Sequence, residues 1–145
     1  MAEGSFKKLI QDRDLTHLIS CDSAGTSSYH IGEPPDERMR QTAKRHGVKL
    51  EHAARQLSKE DFTAFDYIIA MDSKNFHNIQ LLSHTLSSPL HSQILMMRQF
   101  DPGHLTEDVP DPYFGGLDGF EEVYDIVTRS CTNLLNHIMK EKALM

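Results

Sequence analysis

The stretch "FDYIIAMD", residues 65–72, sets a short apolar run between two aspartates. The run from Tyr67 to Met71 is far too short to span a bilayer. It is also too continuous for a strand with one wet face, which would alternate apolar and polar residues. The pattern therefore predicts a strand buried on both faces, the mark of a parallel sheet covered by helices.

The neighbouring segments fit that sheet. From Ser73 onward the chain reads as a helix through Phe76, Ile79 and Leu82. "SQILMMRQF", residues 92–100, reads as a second strand. Residues 117–142 form a last helix, with Phe120, Val123, Tyr124, Val127, Cys131, Leu134, Leu135 and Ile138 on one stripe. On the amino side, "AARQLSKEDFTAF" is a loop with a short helical piece, and Ser58 with Asp61 fits a helix N-terminus. Pro34 and Pro35 lead into a helix over 36–46 that Gly47 closes. "THLISCDS", residues 16–23, reads as a third strand. Residues 1–14 read as a helix through Phe6, Leu9 and Ile10. Helices alternate with strands, which predicts an α/β domain: a three-layer sandwich with a parallel sheet flanked by helices. A chain of 145 residues suits one such domain over 1–145.

Composition narrows the function classes. Charged residues make up 25% and hydrophobic residues 39%, which places the chain among globular domains rather than disordered ones. The net charge of −6 argues against a nucleic-acid partner, which a basic face would serve. Cys21 and Cys131 give neither a disulfide framework nor a zinc spacing, and the histidines are scattered, so no metal or cofactor is expected. Reduced thiols and the lack of a signal-peptide pattern in "MAEGSFKKLI" point to a cytoplasmic protein without a membrane anchor. Nothing in the pattern sets an oligomeric state.

In open parallel sheets, ligands bind beyond the carboxyl ends of the strands. Those ends carry Asp22-Ser23, Met71-Asp72 and the loop 101–116, with "VPDPYFGGLDGFEEVYD" from residue 109. Asp111, followed by Pro112 and soon by Gly115-Gly116, is open to two readings. Asp, Pro and Gly are what turns are made of; an acid at that edge also suits a proton donor.

Four stretches settle the lineage: "DSAGTSSYHIGEPPD", "KRHGVKLEHAARQL", "DFTAFDYIIAMDSKN" and "VPDPYFGGLDGFEEVYD". In this order and spacing they resemble the low-molecular-weight protein tyrosine phosphatases, over essentially the whole chain. The resemblance implies a phosphotyrosine phosphatase I-like fold. It implies hydrolysis of phosphotyrosyl proteins or small aryl phosphates through a cysteinyl-phosphate. It makes Asp111 the general acid that protonates the leaving phenolate and then, as base, activates water. It makes Tyr113, Phe114 and Tyr29 the aromatic walls of the substrate slot, with His30 placed to tune substrate choice. Ser23 and His52 become residues that brace the phosphate loop, and Asp72 an acid near the site.

One departure is central. The family opens with a buried strand, a Cys-x5-Arg phosphate loop, Ser-Pro and a helix. Here "MAEGSFKKLI" resembles that helix, and the strand and loop are expected to be missing, as from an N-terminal truncation or an internal methionine at Met1. Six positions after Cys21 stands Ser27, and six after Cys131 stands His137, so neither cysteine supplies the motif. Both are expected to be inert structural thiols. The chain as given is thus expected to be inactive. A catalytically dead member acting as a binding or regulatory module is the alternative. An arsenate reductase on the same fold is a more distant one, since that chemistry needs further redox cysteines.

Overall fold

The computed structural model describes residues 1–26, 32, 36–50, 54–104, 107–110 and 116–143. Helix α1 spans Ala2–Asp12, α2 Glu37–Arg45, α3 Asp61–Ala64, α4 Ser73–Ser83 and α5 Gly116–Glu141. Strands β1 (Tyr67–Ala70) and β2 (Gln93–Met96) lie between the later helices. They pair in parallel, with Tyr67 opposite Gln93 and Ala70 opposite Met96. The sequence predicts this α/β order, the parallel sheet and its helical cover. A 3-10 helix over Met97–Phe100 takes the second half of the strand expected at 92–100.

The helix ends follow local chemistry. Asp36 accepts a hydrogen bond from the Arg38 N–H and caps α2. Beyond α2, Gly47 adopts φ +72°, which glycine tolerates better than any other residue. Asp72 accepts from the Asn75 N–H at the start of α4. The Asp61 carboxylate accepts from the Ser58 N–H, as the sequence pairing of those residues predicts. Helix α1 stops two residues short of the predicted end, where Asp14 takes φ +56°.

The principal core lies between α1, α5 and the sheet. Phe6, Ile10, Met97, Val123, Val127, Cys131, Leu134 and Leu135 are buried together there. A second cluster, Phe62, Ala70 and Ile79, lies on the α4 side of the sheet. Tyr67 and Ile69 pack against the first cluster, while Ile68 packs against the second with Ala70. Both faces of β1 are therefore apolar, as its unbroken sequence run requires.

Two expectations are corrected. Among the described residues the sheet has two strands, not three. The strand expected at 16–23 is a turn at Thr16–Leu18 followed by irregular chain, and the next bridge is the isolated one between Gly25 and Gln56. The physical reason is the ladder. A strand holds its form through inter-strand hydrogen bonds, and no described strand runs beside residues 19–24. For the same reason Tyr67, Ile68 and Ile69 are half-buried rather than buried.

Candidate active site

Between β1 and residues 22–26 lies a cavity of about 540 Å³. Its apolar walls include Phe6, Met97, Val123, Val127 and Ile79. Its polar lining includes Asp22, Ser23, Arg55, Asp61, Asp72 and Asn75, and Pro110 also lines it. Ser23 and Asp72, named from the sequence at two strand ends, are thus brought to one cavity.

Arg55 organises this rim, and sequence reasoning assigned it no role. Its Nη1 and Nη2 each donate to one oxygen of Asp61 at 3.0 Å, a bidentate geometry. Its Nε donates to Asp22 Oδ2 at 2.9 Å. Burial pushes the Asp61 carboxyl up, but Arg55 and the Ser58 N–H outweigh it and hold the group below the usual carboxylate range. Asp22 is held low in the same way, against burial, by the Ser23 N–H, Glu3 and Arg55. The signal that could have found Arg55 is its place six residues before the helix-starting Asp61. Its link to Asp22, 33 positions away, has no local signature.

The segment leading to Asp111 is tied to the carboxyl end of β1. The Val109 N–H donates to the Met71 carbonyl at 2.8 Å. Asp108 accepts from both the N–H and the hydroxyl of Ser73. Arg98, itself buried, donates to the Asp108 carbonyl and to Glu107, and pairs with the buried Asp101. Arg129 reaches the same Asp101 from α5. This network holds Glu107–Pro110 in place one residue ahead of Asp111. Asp111, Tyr113, Phe114, Tyr29, His30 and His52 themselves lie outside the described residues.

Burial raises the pKa of both thiols. Cys21 is half-buried, directs its thiol to the Glu3 carbonyl, and is pushed up to about 11, chiefly by burial. Cys131 is buried in α5 and pushed up to about 12 for the same reason. Among the described residues, no cluster of His, Cys, Asp and Glu could hold a metal ion, and no helix is long and apolar enough to cross a membrane.

The comparisons converge. The family described as low molecular weight phosphotyrosine protein phosphatase matches residues 1–144. The human low molecular weight phosphotyrosine protein phosphatase is 38% identical over 93% of this chain and 84% of its own length. A Synechocystis relative is 41% identical over 97% of this chain and 88% of its own. A crystal structure of a protein tyrosine phosphatase from Entamoeba histolytica is 37% identical. It superposes with a TM-score of 0.83 over 99% of this chain and 89% of that one. The chain belongs to the low molecular weight phosphotyrosine protein phosphatase family.

Proposed function

We propose that this chain carries the acid–base side of a site that hydrolyses phosphotyrosyl proteins or small aryl phosphates. The supporting observation is the anchoring of Val109, two residues before Asp111 in the sequence, to Met71 at the carboxyl edge of the sheet. In this reading Asp111 protonates the phenolate as it leaves and later draws a proton from water. Tyr113, Phe114 and Tyr29 form an aromatic slot, and His30 tunes the choice of substrate. Ser23 and His52 brace a phosphate loop, with Asp72 nearby. No metal or cofactor takes part.

The same reading holds that residues 1–145, a single domain working in the cytoplasm, do not turn substrate over alone. The family reaction needs a thiolate and an arginine around the phosphoryl oxygens, and the chain contains no Cys-x5-Arg. General acid catalysis is worth about 10²–10⁴-fold, against accelerations of up to ~10²¹ for phosphate monoesters. That β1 pairs with β2 alone among the described strands supports reading the sheet as one that lacks its central strand. A binding or regulatory role is the second reading, favoured by the two thiols held protonated.

The test has two arms. The chain as given should show no turnover of p-nitrophenyl phosphate above buffer. Turnover that vanishes on mutating Cys21 or Cys131 overturns this. With a relative's strand and Cys-x5-Arg loop joined ahead of Met1, turnover should appear. Asp111→Asn should then cut it by about 10²–10⁴-fold. The loss should shrink for acidic phenols, which leave without a proton. Equal losses across a phenol series, with a lowered melting point, would return Asp111 to the role of a turn former.

A further inference from the structure

We propose that Arg98 is a positioning residue for the acid–base step, an inference that rests on reading Asp111 as the general acid. Arg98 acts by clamping the peptide unit between Asp108 and Val109, shortly before Asp111 in the sequence. The Asp108 carbonyl and the Val109 N–H belong to one planar unit. Arg98 Nη1 donates to that carbonyl at 2.9 Å, and the N–H donates to the Met71 carbonyl at 2.8 Å. The unit is therefore held at both ends, between the 3-10 helix that follows β2 and the chain that leaves β1. Ser73 also holds the Asp108 carboxylate, but rotatable side-chain bonds separate that group from the backbone. Little slack follows the clamp. Val109 precedes a proline, which biases it to extended backbone, and the Pro110 ring fixes its own φ. Asp111 is the next residue.

The guanidinium is committed to this segment. The Arg98 side chain is only 7% exposed, and a buried cation must be paired. Its Nε stands 3.1 Å from Asp101 Oδ2. Asp101 is served from α5 as well, where Arg129 Nε and Nη2 donate to its two oxygens at 3.1 and 3.3 Å. Neutralising Asp101 therefore does not require Arg98. Both terminal nitrogens of Arg98 instead reach the residues before Asp111: Nη1 the Asp108 carbonyl, and Nη2 Glu107 Oε2 at 2.9 Å. Asn133 of α5 donates to the Phe100 carbonyl and fixes the 3-10 helix that carries Arg98. The clamp is thus referenced to α5 and its buried stripe. A lysine cannot replace it, because a single ammonium on a flexible stem does not present a planar fork to three acceptors.

The first measurement uses the chain as it is. Arg98→Met should speed amide hydrogen exchange at Val109 by about tenfold or more and leave Val127, within α5, unchanged. Asp101 keeps Arg129 in this variant. Where the single variant unfolds, Arg98→Met with Asp101→Asn, which leaves no charge buried at this pair, takes its place. The second measurement uses the chain carrying a relative's strand and Cys-x5-Arg loop ahead of Met1. There Arg98→Met should lower kcat for phosphates of basic phenols by about 10–100-fold. It should spare acidic phenols and leave inhibition by inorganic phosphate unchanged. In an Asp111→Asn background the same substitution should cost nothing further, since a residue that acts through Asp111 loses its effect with it. Unchanged exchange at Val109, an equal loss across the phenol series, or a loss that adds to that of Asp111→Asn each overturns the proposal. A joined chain without turnover, or one in which Asp111→Asn changes nothing, overturns the proposed function instead. The Val109 exchange, which needs no turnover, tells the two failures apart.

Discussion

At the residue scale, Arg55 makes the candidate site sensitive to acid. The Asp61 side chain is 9% exposed and that of Arg55 35%, so the pair is partly screened. Asp61 and Asp22 both have depressed folded pKa values, with burial opposing and the hydrogen bonds to Arg55 among the groups that prevail. An aspartate in the unfolded chain titrates at about 3.9. A depressed folded value contributes stability that is fully present above that pH and is lost as pH falls through the folded value. Stability should therefore fall below about pH 4. Asp61→Asn should cost about 1–2 kcal/mol at neutral pH, through the weakened bond to Arg55. It should also flatten the acid limb. Urea unfolding at neutral pH and at about pH 3 checks both. An acid limb as steep in the variant as in the parent would assign the titration to another carboxylate, such as Asp36, which is also held low.

At the element scale, α1 is fitted to the chain that follows α2 through Gly4. A Cβ at Gly4 would lie 2.5 Å from Leu50 Cδ2, 2.8 Å from the Lys49 carbonyl and 2.9 Å from Val48 Cγ1. The carbonyl belongs to the backbone and yields least. Alanine gains about 1 kcal/mol of helix propensity over glycine, but overpacking of this kind costs about 1–3 kcal/mol. Gly4→Ala should therefore lower the urea midpoint without changing the slope, and a raised midpoint would show that residues 48–50 yield freely. The contrast between α1 and the segment after it shows what a sequence discloses. Helices satisfy their own backbone, so the spacing of Phe6 and Ile10, or of Phe120 through Ile138, reports them locally. "FDYIIAMD" likewise disclosed β1 by its unbroken apolar run, although the strand proper is shorter, Tyr67–Ala70. "THLISCDS" has the composition of a strand, but a strand also needs a neighbour, and composition cannot report a neighbour. The site divides in the same way. Asp72 does follow a strand, β1, whereas Ser23 was named from the end of a strand that does not form, and Arg55 acts through partners 6 and 33 positions away.

At the scale of the whole molecule, the fold carries an unusual apolar opening. Parallel strands are ordinarily buried on both faces and flanked by further strands, yet Tyr67, Ile68 and Ile69 are only half-buried. The cavity beside them reaches into the principal core, since Phe6, Met97, Val123 and Val127 line it. An exposed apolar surface with an unpaired strand edge favours self-association. Such a surface also binds hydrophobic dyes in a way that well-packed domains do not. The free chain should therefore bind a naphthalene-sulfonate dye at neutral pH, and its sedimentation should show self-association that grows with concentration. Heating should give a broad transition, with a calorimetric enthalpy that departs from the van't Hoff value. Helices satisfy their own backbone, and α1 also packs directly on α5, so far-ultraviolet circular dichroism should still report their full content. A monomer without dye binding, melting sharply at about 45–65 °C with matching enthalpies, would refute this. Such a result would mean that the contacts of α1 and α5 close the core well enough for the two described strands to suffice. The half-buried edge of β1 would then be a tolerated surface rather than a point of weakness.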